Sequence, residues 1–164
     1  MQIMNIGTLN TQGCQDNTKL LSIASDSEKY NVQILGLTET HIVDQHLEEI
    51  KGIKNVFNLY HNGIKGSNKY SSVGILIDKD ISATFRRISD RNMCRAEIDL
   101  VGKEKLFVIV AYAPTLGVSG KNPNTREEFY RTLSQVSAEV AKSRYMLVTL
   151  GDFNAKTGSG HRPQ

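Results

Sequence analysis

The 164-residue sequence predicts an α/β fold whose strand ends carry the chemistry. Three observations predict it. Four apolar, strand-like runs each stop abruptly in polar residues of the kinds that hold metal ions or phosphate. Residues 4–9 run into Asn10, 32–38 into Glu39, 106–111 into Tyr112, and 145–150 into Gly151-Asp152-Phe153-Asn154. Two stretches with helical periodicity lie between such runs. Several shorter strand-like segments, separated by turn residues, fill the middle of the chain. Strands side by side in a sheet bring their ends to one rim, where ligand sites are built.

The elements follow in order. Residues 3–9 read as a strand. Asp16-Asn17-Thr18 then offers capping side chains, and Leu20, Leu21, Ile23 and Ala24 begin an apolar helix face that should end near Tyr30-Asn31. Residues 32–38 form a second strand, apolar enough to be buried on both faces. Strand, helix and strand within about 35 residues fit a βαβ unit. Residues 42–54 read as a short helix or a loop. From Val56 onward, 56–60, 72–77, 81–88 and 93–101 read as short strands, joined through Gly63, Gly66, Asp78-Lys79-Asp80 and Asp90-Arg91-Asn92. With the strand at 106–111 they predict an antiparallel meander.

Residues 114–124 read as a loop. Thr125-Arg126-Glu127-Glu128 fits a Thr-x-x-Glu capping box, and Phe129, Leu133, Val136 and Val140 form one helical stripe that should stop near Ser143-Arg144. The strand at 145–150 follows. The last ten residues are glycine-rich, polar and read as irregular.

Composition narrows the class. The apolar fraction of 39% and charged fraction of 23% are those of an ordinary globular chain. No apolar run approaches the roughly 20 residues that span a bilayer, and the N-terminus shows no secretory pattern. Cys14 and Cys94 are far apart and make no metal-spacing motif, so they read as reduced thiols, with no disulfide-linked partner, in a nuclear or cytoplasmic protein. Net charge is +3. Residues 1–50 hold two Lys against seven Asp and Glu, while the remainder holds 18 Lys and Arg against 10 Asp and Glu. A basic remainder suits a polyanion such as DNA, although for a balance this modest solvated surface charge is by itself the better explanation.

Leu9-Asn10-Thr11-Gln12-Gly13, Leu37-Thr38-Glu39-Thr40-His41, Ala111-Tyr112-Ala113-Pro114 and Gly151-Asp152-Phe153-Asn154-Ala155 resemble the successive motifs of the endonuclease/exonuclease/phosphatase superfamily. The branch they resemble is the apurinic-type endonuclease domain of non-LTR retrotransposons and its craniofacial-development-protein-like relatives. No one motif is specific alone; their order, each after a strand-like run, is. The resemblance implies a DNase I-like four-layer α/β sandwich, two sheets face to face with helices outside, spanning 1–164 as a single domain. It implies a divalent-metal-dependent phosphodiesterase acting on DNA.

Residue by residue, the resemblance makes Glu39 and Asn10 ligands of Mg²⁺ or Mn²⁺, hard ions that prefer oxygen. On position alone, Glu39 could equally be a rim carboxylate paired with Lys or Arg, and Asn10 a turn residue. Tyr112 would hydrogen-bond the scissile phosphate; alone it reads as an aromatic capping the core. Asp152 would orient and deprotonate the attacking water, and Asn154 would help hold the phosphate; alone the two read as an Asp-x-Asn turn. His41 lies near enough in sequence to touch substrate. His46 and His61 read as solvated loop residues, and His161 falls in the tail. Gln12 departs from the Asp or Asn frequent at this place in relatives.

The family's late Ser-Asp-His motif occurs nowhere in this chain. The resemblance therefore implies a domain incomplete at its C-terminus, lacking the C-terminal part of the second sheet and leaving an apolar sheet face exposed. Loss of one electrostatic partner of this kind costs about 10²–10³ in rate, so the chain is expected to be inactive or weak. Rival readings are a phosphatase or deadenylase of the same superfamily, and a non-catalytic nucleic-acid-binding or interaction module.

Overall fold

The structure, a computed structural model, describes residues 3–63, 72–88, 92–115, 124–143 and 145–155, with the side chains of Asn124 and Thr125 outside the description. The chain alternates local signals in the order β1 (Ile6–Asn10), α1 (Asn17–Lys29), β2 (Ile34–Thr38), β3 (Gln45–Lys51), β4 (Val56–Asn62), β5 (Val73–Asp78), β6 (Ala83–Arg87), β7 (Met93–Asp99), β8 (Lys105–Tyr112), α2 (Asn124–Lys142) and β9 (Met146–Asp152). A 3₁₀ turn at Val101–Lys103 separates β7 from β8.

Asp16 caps α1, its carboxylate accepting from the Thr18 amide at 3.1 Å. Asn31, with φ of 53°, turns the chain out of the helix in the left-handed conformation that asparagine tolerates. All five residues of β2 are buried, as its unbroken apolar run requires. The strand pairs parallel with β1 through α1, completing the βαβ unit.

The strands divide into two sheets. One has five strands in the order β1-β2-β5-β4-β3; the other has four in the order β6-β7-β8-β9. The expected meander is thus split where Asp78-Lys79-Asp80 carries the chain from one sheet to the other. Ile34, Ile75 and Ile77 of the first sheet pack on Ala96, Ile98, Val108 and Val110 of the second. The inner face is therefore covered at β2 and β5, while Ile6 on β1 and Val148 and Leu150 on β9 remain only partly buried. Outside the first sheet, Leu20, Ile23 and Ala24 of α1 pack on Leu35, Leu37 and Leu59. Outside the second, Phe129 and Leu133 of α2 pack on Ile109 and Ala111. The four layers are helix, sheet, sheet and helix.

Gly36 sets how closely the sheets approach. A Cβ there would stand 2.9 Å from Val110 Cγ2 and 3.0 Å from Leu150 Cβ. With no side chain, β2 presses onto β8 and β9, and the rims of both sheets meet.

Two expectations are corrected. Residues 45–51, read as helix or loop, form the edge strand β3, on which only Ile50 is buried. His46 and His61, read as solvated loop residues, lie opposite one another on β3 and β4, and His61 is fully buried. Burial holds its imidazole below the ordinary histidine range, partly offset by Glu48. Both cysteines are free and buried. The Thr125 capping interaction, the turn at Gly66, most of the loop at 114–124 and the tail with His161 lie outside the described residues.

Candidate active site

Each sheet delivers two neighbouring strand ends to one cleft. In the first, the parallel pairing of β1 and β2 sets Asn10 beside Thr38, one residue before Glu39. In the second, the parallel pairing of β8 and β9 sets Tyr112 beside Asp152. Because these pairs are parallel, both strands of each leave the sheet at the same end. The cleft between them has a volume of about 330 Å³ and is bordered by Thr8, Asn10, Thr38, Asp152 and Asn154 among others.

Local backbone geometry turns the side chains inward. Glu39 has φ of 51° and Asn154 φ of 46°, both in the left-handed region that costs a non-glycine residue about 1 kcal/mol or more. Around Glu39 the chain is fixed by Thr11, whose hydroxyl donates to the carbonyl of Glu39 at 2.9 Å, and by the Gly13 amide, which donates to the same carbonyl at 2.7 Å. Behind the other rim, Gly151 has φ of 132°, and a Cβ there would fall 1.8 Å from the carbonyl oxygen of Ala111. Only glycine fits, and it lets β9 bend as it enters the Asp152-Phe153-Asn154 turn. The hydroxyl of Tyr130, on α2, steadies that turn by donating to the carbonyl of Phe153 at 3.3 Å.

Four predicted side chains meet in one hydrogen-bonded group. The Asn10 amide donates to Glu39 Oε1 at 3.0 Å and reaches Asp152 Oδ2 at 3.5 Å. The Tyr112 hydroxyl donates to the same Glu39 oxygen at 2.9 Å. Asn154 is anchored beside them, its side-chain amide donating to the carbonyl of Ala113 at 2.6 Å. The turn readings hold as well. Asp152 Oδ1 accepts from the Asn154 backbone amide at 2.9 Å, and Asn10 Oδ1 from that of Gln12 at 3.1 Å. Each residue spends one polar atom on its own turn and aims another into the cleft. His41 is placed differently: its ring lies over Gly13, where a Cβ would come 2.7 Å from Nδ1.

The electrostatics have one sign. Two carboxylates share the cleft, and among the described residues neither Glu39 nor Asp152 forms an ion pair with Lys or Arg. Burial, then the neighbouring Glu39 carboxylate, push the Tyr112 phenol above its ordinary value, so it remains a hydrogen-bond donor. Oxygen donors of this kind fit a hard divalent cation. Thr11, Thr38 and Tyr130 were not singled out from sequence. Thr38 Oγ1 is buried beside the cleft and has no hydrogen-bond partner among the described residues.

A pair of face-to-face sheets, helices outside and a polar site shared between their rims defines a class of fold. Residues 5–163 match the model of the Endonuclease/Exonuclease/phosphatase family, and the chain belongs to that family. Among solved structures it is similar to the Xenopus laevis APE2 catalytic domain, with 16% identity and a TM-score of 0.68 over 93% of this chain and 59% of that one. It is also similar to a humanized D. rerio TDP2, with 14% identity and a TM-score of 0.62 over 94% and 67%. A third, TDP2 from C. elegans, has 17% identity and a TM-score of 0.58 over 91% and 47%. The chain thus spans between about half and two thirds of the length of these structures. At such identities the likeness establishes the fold. No curated protein matches the sequence significantly. Among the described residues no helix is long and apolar enough to cross a membrane.

Proposed function

We propose that this chain is a divalent-metal-dependent phosphodiesterase domain of the retroelement endonuclease type, acting on DNA. The observation that carries the reading is the convergence of Asn10, Glu39, Tyr112 and Asp152, from two sheets and up to 142 positions apart, into one hydrogen-bonded group. The retroelement assignment rests on Thr38-Glu39-Thr40-His41 and Ala111-Tyr112-Ala113-Pro114. The basic balance beyond residue 50 supports a polyanionic substrate.

Glu39 would hold Mg²⁺ or Mn²⁺, with Asn10 as a second ligand once its amide turns its oxygen into the cleft. When bound, such an ion stabilises charge on the phosphoryl oxygens of a phosphodiester. Asp152, with Oδ2 facing the cleft, orients a water for in-line attack and takes its proton. Tyr112 donates to the phosphate, and Asn154 steadies it from the Ala113 side. His41, two residues beyond Glu39 with its ring against Gly13, would contribute a substrate contact from that turn. No residue need form a covalent intermediate.

These 164 residues hold no Ser-Asp-His motif to stand opposite Asp152, so this chain by itself would be inactive or weak. The test is nicking of supercoiled and abasic DNA by the purified chain with Mg²⁺. Slow, Mg²⁺-dependent nicking that disappears in Asp152→Ala supports the reading. DNA binding without cleavage, unchanged by Glu39→Ala, would make the chain a non-catalytic binding module. Release of phosphate from monoesters, or shortening of polyadenylate in preference to DNA nicking, would make it a phosphatase or deadenylase.

A further inference from the structure

A second cluster of ligating atoms lies on the opposite face of the five-stranded sheet. His46 and Glu48 are two apart on β3, so they share a face. His61 on β4 is the register partner of His46. Ile50 and Leu59, next along the same face, pack in the cluster beneath α1, whereas Tyr112, the partner of Glu39, packs against the core between the sheets. The two clusters are therefore separated by the sheet itself.

One ligand atom from each of His46, Glu48 and His61 lies within 4.8 Å of the others. Glu48 Oε1 is 3.5 Å from His46 Nε2 and in direct contact with His61 Nε2. The two imidazole centroids are 4.4 Å apart. His61 is fully buried, and Glu48 is the one hydrogen-bond partner its ring has among the described residues. One carboxylate oxygen thus faces two ring nitrogens, with the Asp44 carboxylate close enough to act on His61 as well.

We infer that His46, Glu48 and His61 form a transition-metal site of the Zn²⁺ class, independent of the cleft. Two imidazoles and a carboxylate are the donors that Zn²⁺ takes, in a tetrahedral shell whose ligand atoms stand about 3.3 Å apart. The present atoms already lie within 4.8 Å of one another, so the donor set is assembled on one face. The hard ions suited to the cleft disfavour imidazole, so the two sites select different metals. His46 is the exposed member, on an edge strand, and the cluster borders a cavity of about 320 Å³ that also touches Gln15, Asn17 and Asp44. That opening gives the ion a path in and leaves a fourth position for water. The bound ion would clip the edge strand β3, otherwise largely exposed, onto β4.

The test is titration of the chelator-treated 164-residue protein with Zn²⁺ against a chromophoric competitor, in excess Mg²⁺. One Zn²⁺ per chain is expected, with affinity at least tenfold weaker in His46→Ala and in Glu48→Gln and unchanged in Glu39→Gln. Co²⁺ in place of Zn²⁺ should give the intense visible bands of a four-coordinate ion, lost in His46→Ala. Far-ultraviolet circular dichroism of His46→Ala, whose side chain is 43% exposed on the edge strand, checks that the fold is kept. The proposal is overturned by no saturable binding, by a six-coordinate Co²⁺ spectrum, by affinity indifferent to His46→Ala and Glu48→Gln in folded protein, or by binding that follows Glu39.

Discussion

The hydroxyl of Tyr112, at the end of one sheet, donates to Glu39 Oε1, at the end of the other, at 2.9 Å. This bond ties the two rims across the cleft, and it joins the candidate metal ligand to the candidate phosphate donor. In Tyr112→Phe the ring and its packing stay and only this donor is lost. A hydrogen bond to a carboxylate in a half-exposed site is worth about 1 kcal/mol, so stability in urea should fall by roughly that amount. DNA nicking should fall by about 10²-fold, the scale for removing one donor to a reacting oxyanion. An unchanged nicking rate would remove Tyr112 from the chemistry.

The close approach of the sheets makes a second prediction. Gly36→Ala places a methyl group 2.9 Å from Val110 Cγ2. Side chains can give by a few tenths of an ångström, so overpacking should cost about 1–3 kcal/mol. Gly151→Ala is worse, because its Cβ meets a backbone carbonyl at 1.8 Å and its φ of 132° is strained for alanine. It should cost more than about 3 kcal/mol, or prevent folding. Denaturation midpoints of the two variants give the comparison, and equal midpoints would contradict it.

Much of this architecture was legible in the sequence because the strands that carry the site are apolar and end sharply. The five buried residues of β2 and the Asp16 cap of α1 are local signals. β3 was not legible. Its inward face presents His46 and Glu48, with only Ile50 buried, so polar residues fall on both faces and the period-2 contrast vanishes. The burial of His61 was missed for the same reason: its partners lie on that unrecognised strand. An apolar sheet face was expected to be exposed because the family's later strands are absent from the sequence; that β6 to β9 form a second sheet was not legible, because no local feature of Asp78-Lys79-Asp80 marks a crossing rather than a hairpin. Site residues were found at strand ends. Their convergence depends on Gly36 and on the left-handed turns at Glu39 and Asn154, which sequence does not announce.

Glu28 supplies a pH-dependent latch. Its carboxylate accepts from the Lys54 amide at 2.9 Å and from the Asn55 amide at 3.1 Å, fastening the turn between β3 and β4 to the end of α1. The Lys54 hydrogen bond is the main reason its carboxyl lies below the usual glutamate range. A depressed carboxyl contributes stability above its unfolded value, near 4.5, and loses it as pH falls through the folded one. Amide exchange at Lys54 and Asn55 should therefore accelerate below about pH 4.5 beyond the trend of neighbouring amides, and Glu28→Gln should show the faster exchange already at neutral pH. Exchange insensitive to both would contradict the latch.

The cysteines should be inert in the folded protein. Cys14 and Cys94 are fully buried, and burial pushes both thiols above their ordinary range, so less thiolate exists at neutral pH than in a free cysteine. A thiol reagent should label neither in native conditions and both in denaturant. Fast native labelling of Cys94 would show that the core between the sheets opens.

The central claim is that Glu39, with its companions at the two rims, holds one hard divalent cation. Calorimetric titration with Mg²⁺ of the wild-type chain, Glu39→Gln and His46→Ala tests it most directly. The account predicts one Mg²⁺ per wild-type chain, affinity weakened at least tenfold in Glu39→Gln, and no change in His46→Ala. Equal affinity in wild type and Glu39→Gln would contradict it.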